Sequence, residues 1–216
     1  MKLQEQKEKE KESKDDALIN IVQQTTSPEQ NFRVTGIYGD INEERSLEAV
    51  LSLLYLKETS KTMELEDPED LDSPVIETIA PIDFYVSTFG GSAPEMFCVF
   101  DTIRMVREDC PVHTIGLGKV MSAGVLLLAS GTKGERRIGA NCRIMIHGVI
   151  SGQQGHILDM ENEMQETKFT QKQYIKALSS ETNMSETYIR KLIRKKTNIY
   201  FDAEKAVELG IADKII

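Results

Sequence analysis

Two polar residues of this chain stand where packing alone would want none. The apolar run Val125 to Ala129 is preceded by Ser122, set between Met121 and Ala123, and the strand-like run Arg143-Ile-Met-Ile ends on His147. A hydroxyl in the first turn of a short buried helix lies where unpaired backbone N–H groups and the positive end of the dipole collect. A negative oxygen formed there is stabilised. An imidazole at a strand end can take the proton of such a hydroxyl, and Gly148 after it lets a second segment come close. The pair is a candidate nucleophile and base. The same residues also suit a plainer role, as small side chains where a helix packs on a strand and as a core histidine. Sequence order does not decide between the two, because a triad is defined by geometry.

The elements that must position this pair can be read from periodicity. Arg33-Val-Thr-Gly-Ile-Tyr-Gly-Asp-Ile reads as a strand with a Gly39-Asp40 turn, and Asn42 to Lys57 as a helix with its apolar stripe at Leu47, Val50, Leu51, Leu54 and Tyr55. Ile82 to Ser87 is a short apolar strand, which Gly90-Gly91 breaks before a helix from Ala93 to Arg107. Paired glycines after a strand let backbone approach a ligand, and they equally make a plain tight turn. Val112 to Leu117 is the strand leading to Ser122. A Gly- and Gln-rich link then opens a long polar helix from His156 to Ser180, and Ser185-Glu-Thr-Tyr resembles the capped start of another, running to Lys195. Strands alternating with helices imply an α/β fold with parallel strands and crossover helices.

Composition narrows the function. A chain of 216 residues is long enough for one domain with a real core. The net charge of −9 argues against a nucleic-acid-binding surface and offers an anionic membrane no attraction. Cys98, Cys110 and Cys142 are odd in number and lack C-x-x-C spacing, which fits a reducing compartment better than a disulfide or zinc framework. His147, His156 and Asp159 have no metal-carrier spacing, so no metal is expected. The glycines at 116, 118 and 124 match neither a dinucleotide fingerprint nor a phosphate loop. Residues 1 to about 16 interleave charges of both signs around a single apolar position after the initiator, and read as a mobile tail or solvated helix rather than a signal or transit peptide. No apolar run approaches the ~20 residues that span a bilayer, and a cytoplasmic location is expected. Residues 57–81 are acidic, with Pro68 and Pro74, and read as a solvated loop or a β-hairpin insertion; a regulatory or partner-binding loop is the alternative.

Several of these segments occur together, in order, in a known family. Met121-Ser-Ala-Gly-Val-Leu-Leu-Leu-Ala-Ser-Gly, the basic link after it, and Arg143-Ile-Met-Ile-His resemble the serine and histidine segments of the ClpP family, the proteolytic subunits of the Clp protease. Phe84-Tyr-Val-Ser-Thr-Phe-Gly-Gly-Ser resembles the strand leading into that family's Ser-Pro-Gly-Gly turn, and Phe201-Asp-Ala-Glu-Lys-Ala-Val-Glu-Leu-Gly-Ile-Ala-Asp its last helix and strand. The likeness covers roughly Arg33 to Ile216. It implies the ClpP/crotonase-type spiral of β-β-α units with a protruding handle helix. Residues 1–30 are then a charged N-terminal segment, of which Ala17 to Thr26 would order at the axial entrance of a ring, and residues 31–216 a serine peptidase domain with an insertion at 57–81. The resemblance also implies Gly91 and Ala123 as backbone oxyanion donors, stacked seven-membered rings joined by the handle, unfolded polypeptide substrates, and an AAA+ Clp unfoldase partner that alone uses ATP, leaving no cofactor on this chain. Phe89 stands where the family has proline and Ala123 where it often has methionine.

The main departure is at the third triad position, where alignment of the last helix places Asn198. An asparagine can orient His147 but carries no charge to stabilise an imidazolium, and in the well-studied serine-protease example Asp-to-Asn costs about 10⁴ in turnover. Asp202 is the nearest carboxylate, and it reads better as a helix N-cap than as an alternative third member. Three functions remain in view. They are a serine endopeptidase using Ser122, His147 and Asn198; a weakly active or structural ring subunit assembling with active paralogues; and a crotonase-like acyl-CoA enzyme, which the serine and histidine motifs disfavour.

Overall fold

The computed structural model describes residues 32–70, 72–195 and 197–216, so the expectations for the N-terminal segment lie outside the described residues. The described residues divide into two units, one holding residues 60–80 and the other residues 34–59 with 81–216. In the first, β2 (Lys61–Leu65) pairs antiparallel with β3 (Val75–Ile79). The acidic stretch is therefore a hairpin, with a Thr62–Thr78 hydroxyl contact of 2.7 Å across it and Lys61 paired with Glu77. Its tip is closed by Asp67, which receives the Glu69 N–H, and by Asp70, which receives the Asp72 N–H. These turns are the reason a run of carboxylates can fold back on itself. The hairpin's two ends are joined by the Ala80 N–H, which donates to the Ser60 carbonyl at 2.8 Å.

The second unit is built on a mainly parallel sheet. Among the described residues, β1 (Val34–Ile41), β4 (Ile82–Gly91), β5 (Val112–Met121), β6 (Arg137–Ile138) and β9 (Lys214–Ile215) lie in that order. Next to β5 also lies β7 (Arg143–Ile146), and β8 (Ile199–Phe201) pairs antiparallel with β7. The helices are α1 (Glu43–Glu58), α2 (Ala93–Val106), α3 (Ala123–Ala129), α4 (Ile157–Glu181), α5 (Glu186–Arg194) and α6 (Ala203–Glu208). This is the mixed α/β architecture expected. Asn42 caps α1 through the Arg45 N–H, Ser185 caps α5 through the Tyr188 N–H, and Asp202 caps α6 through the Lys205 N–H.

Three local expectations are corrected. Gly39-Asp40 is not a turn but lies inside β1, at a register shift against β4. The strands β4 and β5 run on past Ser87 and Leu117, because ladder pairing to β1 and β7 continues through the glycines. The apolar stripe of α1 is rotated: Ser46, Ala49 and Leu53 are buried and Val50 and Leu54 pack partly against the core, whereas Leu47, Leu51 and Tyr55 are exposed. Small residues at 46 and 49 let this helix lie close, and Leu47, Leu51 and Tyr55 are left outward.

Around α3, every residue of which is buried, Phe84, Val86, Ile103, Val120 and Ile144 form the core. The end of α4 is fastened to this body by charge. Glu181, only 3% exposed, accepts both guanidinium nitrogens of Arg107 at 2.9 and 3.0 Å and lies 3.3 Å from Lys133. Arg136, also buried, donates to the Glu181 and Gly210 carbonyls at 2.7 Å and pairs with Asp213. Burial alone would raise the Glu181 carboxyl, but the hydrogen bonds and charges of Arg107, with Lys133, overcome it and hold the group below the usual range. Its stabilising contribution is present above the unfolded carboxylate value and is lost as pH falls through the lower folded value. Glu181→Gln is expected to lower the unfolding free energy by about 1–2 kcal/mol, because it weakens the charge-assisted hydrogen bonds from Arg107, while the partial exposure of Arg107 and Lys133 lets solvent screen the rest. Urea denaturation measures this, and a midpoint equal to the parent's would show that the cluster contributes nothing.

Candidate active site

The turn between β5 and α3 sets Ser122 in an uncommon conformation. Its φ of 54° and ψ of −120° make it the one non-glycine residue with positive φ among the described residues. Such a backbone costs of order 1–3 kcal/mol and persists only where its surroundings over-determine it. Here the Ser122 N–H donates to the Met145 carbonyl on β7 at 2.8 Å, and the Ser122 carbonyl accepts the Val125 N–H at 3.1 Å. That carbonyl also accepts the Tyr174 hydroxyl of α4 at 3.2 Å. The Ser122 side chain makes no capping bond to its own helix. It is free to turn outward, and its Oγ lies 2.8 Å from His147 Nε2.

His147 follows directly on β7, whose pairing to β5 places Met145 opposite Met121. Ser122 lies one residue beyond this pair and His147 two, which brings the two candidate residues together at the strand ends. The close approach at Gly148 is real: a Cβ there would lie 2.9 Å from Ile193 and 3.0 Å from Gln171. Burial lowers the His147 imidazole below its ordinary value, with a backbone hydrogen bond at Gly148 opposing the shift. A neutral ring at pH 7 is what a general base requires.

Gly90, with φ of 110°, is packed against the serine so closely that a Cβ on it would sit 2.7 Å from the Ser122 Cβ. Gly91 lies over Ile41 of β1, where a Cβ would be 2.2 Å from the carbonyl oxygen. The glycine pair is therefore a close-approach device at the end of β4 rather than a plain turn. Gly91 and Ala123 both border a cleft of about 340 Å³ that also contains Ser122 and His147. Its apolar wall includes Phe89, Met96, Val149 and Ile150. Phe89 is 62% exposed, and the Lys119 Nζ lies 4.7 Å from its ring centre.

The two candidates for a third member are placed differently. The antiparallel register of β7 and β8 ends at the pair Ile146–Ile199, and His147 and Asn198 are the next residue on either side. Asn198 is exposed, and among the described residues no hydrogen bond joins it to His147. Asp202 caps α6 at 2.9 Å from the Lys205 nitrogen, four residues further along the chain, about 13 Å at strand rise. The residue the sequence did not single out is Tyr174. The signal for Tyr174 was its place with Ile175 and Leu178 on the short buried face of a helix that is otherwise polar.

A serine on a strained strand-to-helix turn, paired with a histidine from a neighbouring strand end over an open cleft, is the arrangement of serine hydrolases. The family model for Clp protease matches residues 74–216, which hold every residue of this cleft. The chain belongs to the Clp protease family, and is a ClpP-type protease. No helix among the described residues is long and apolar enough to cross a membrane.

Proposed function

We propose that this chain is a serine endopeptidase in which Ser122 is the nucleophile and His147 the base. The observation that carries the proposal is the 2.8 Å contact between Ser122 Oγ and His147 Nε2 at a strained serine. In this reading His147 takes the hydroxyl proton as Oγ attacks the scissile carbonyl. The tetrahedral oxyanion is received by the Gly91 and Ala123 N–H groups, and the proton passes from the imidazolium to the leaving amine. Water then repeats the sequence on the acyl-enzyme. Asn198 faces the ring from β8 as a neutral orienting group.

The substrates are unfolded polypeptides delivered to a chamber of stacked seven-membered rings in the cytoplasm, with ATP used by the partner unfoldase. Support for assembly comes from α4, whose buried residues all fall at its C-terminal end, while Ile157, Leu158, Met164 and Phe169 remain exposed. An apolar set of this kind on one long helix suits a contact with another subunit. The test is a fluorophosphonate label mapped by mass spectrometry. Modification of Ser122 in a particle of several hundred kilodaltons is expected, and an unlabelled serine would sink the peptidase reading.

A second reading, a weakly active ring subunit, is favoured by one observation: Asn198, the residue next after the last β7–β8 pair, is neutral and exposed, and no hydrogen bond joins it to His147 among the described residues. The pH profile bears on both. Since His147 must be neutral to act and burial lowers its pKa, kcat/KM is expected to stay level at pH 7 and to fall only below the ordinary imidazole value of about 6.5. An acid limb centred above that value would show that the ring is not held as described.

A further inference from the structure

The hydroxyl of Tyr174 reaches the Ser122 carbonyl from a different element, and that carbonyl is one edge of a rigid unit. The peptide between Ser122 and Ala123 is planar, so the direction of its C=O fixes the direction of the Ala123 N–H on its opposite edge. We propose that Tyr174 is a positioning residue, whose O–H bond to the Ser122 carbonyl aims and polarises the Ala123 N–H toward the oxyanion. The inference rests on the peptidase reading above.

Three features favour it over simple packing. Tyr174 is 5% exposed yet borders the cleft, so its hydroxyl is a buried donor whose partner belongs to the reacting turn itself. Burial pushes the phenol far above its usual range, which keeps the proton on the oxygen at any working pH. The Ser122 carbonyl already accepts the Val125 N–H at 3.1 Å, so the tyrosine is not needed to satisfy an orphaned acceptor. A second donor instead pins the plane from α4, against a φ that would otherwise relax. Hydrogen bonding at one end of an amide also strengthens donation at the other, by ~10–30% per bond.

Tyr174→Phe keeps the ring that walls the cleft and removes only the donor. Peptide turnover is expected to fall about tenfold, short of the ~10²–10³ that follows outright loss of an oxyanion donor. KM should be unchanged, and affinity for a peptide boronate, which mimics the tetrahedral state, should fall by the same factor as kcat. Replacing Tyr174 with p-aminophenylalanine, which restores a donor, should recover turnover. Where phenylalanine does not fold, Tyr174→Met serves the same comparison. If the parent labels at Ser122 and the donorless variant keeps its kcat and boronate affinity, the inference is wrong while the peptidase reading stands. A loss confined to KM or to thermal stability also overturns it, since that is a packing role. A parent that never labels overturns both.

Discussion

Ser122→Ala is expected to lower peptide turnover by at least about 10⁴-fold, toward the ~10⁶ measured for loss of a serine nucleophile in a fully charged triad. The thermal midpoint should stay within a degree or two of the parent's. Both parts follow from the turn. The Oγ makes its contact with His147 and no capping bond to α3, so deleting it removes the reacting atom and no structural bond. The backbone bonds to Met145, Val125 and Tyr174 that hold the strained φ all survive the change. Hydrolysis equal to the parent's would mean that the serine only fills space.

Asn198→Asp is expected to raise turnover by about 10–100-fold, less than the ~10⁴ lost in the reverse change elsewhere. If Asn198 orients the His147 ring as proposed, the new carboxylate favours the imidazolium formed during acylation. The position is exposed, so desolvation costs little, but solvent screens the gain. The same charge should move the acid limb of kcat/KM upward, because a nearby anion raises an imidazole pKa. Asp202→Asn should leave turnover and stability nearly unchanged, since asparagine still caps α6. Loss of turnover in Asp202→Asn with no response to Asn198→Asp would make Asp202 the third member.

Much of the second unit was legible because its signals are local. The core strands announce themselves as apolar runs, and Asn42, Ser185 and Asp202 mark helix starts by chemistry that depends on only a few neighbouring residues. Pairing of Ser122 with His147 was a hypothesis from residue types, and the β5–β7 register supplies its geometry. What the sequence hid was tertiary. The outward stripe of α1 carries the same periodicity as an inward one, and periodicity has no sign. Whether Gly90-Gly91 ends a strand or continues it depends on what lies alongside, here Ile41 and Ser122, distant in sequence. The role of Tyr174 was hidden for the same reason, since its partner lies 52 residues away, although its place on the apolar face of α4 was legible.

The tied ends of the β2–β3 hairpin make residues 60–80 a natural splice point. With Ala80 bonded to Ser60, the chain leaves and returns at one place, so the length between them is set by nothing in the parallel sheet. Lengthening a closed loop adds only about 0.6 kcal/mol per doubling. A lineage could acquire, trim or recode this segment as a cassette, under selection separate from that on the serine turn.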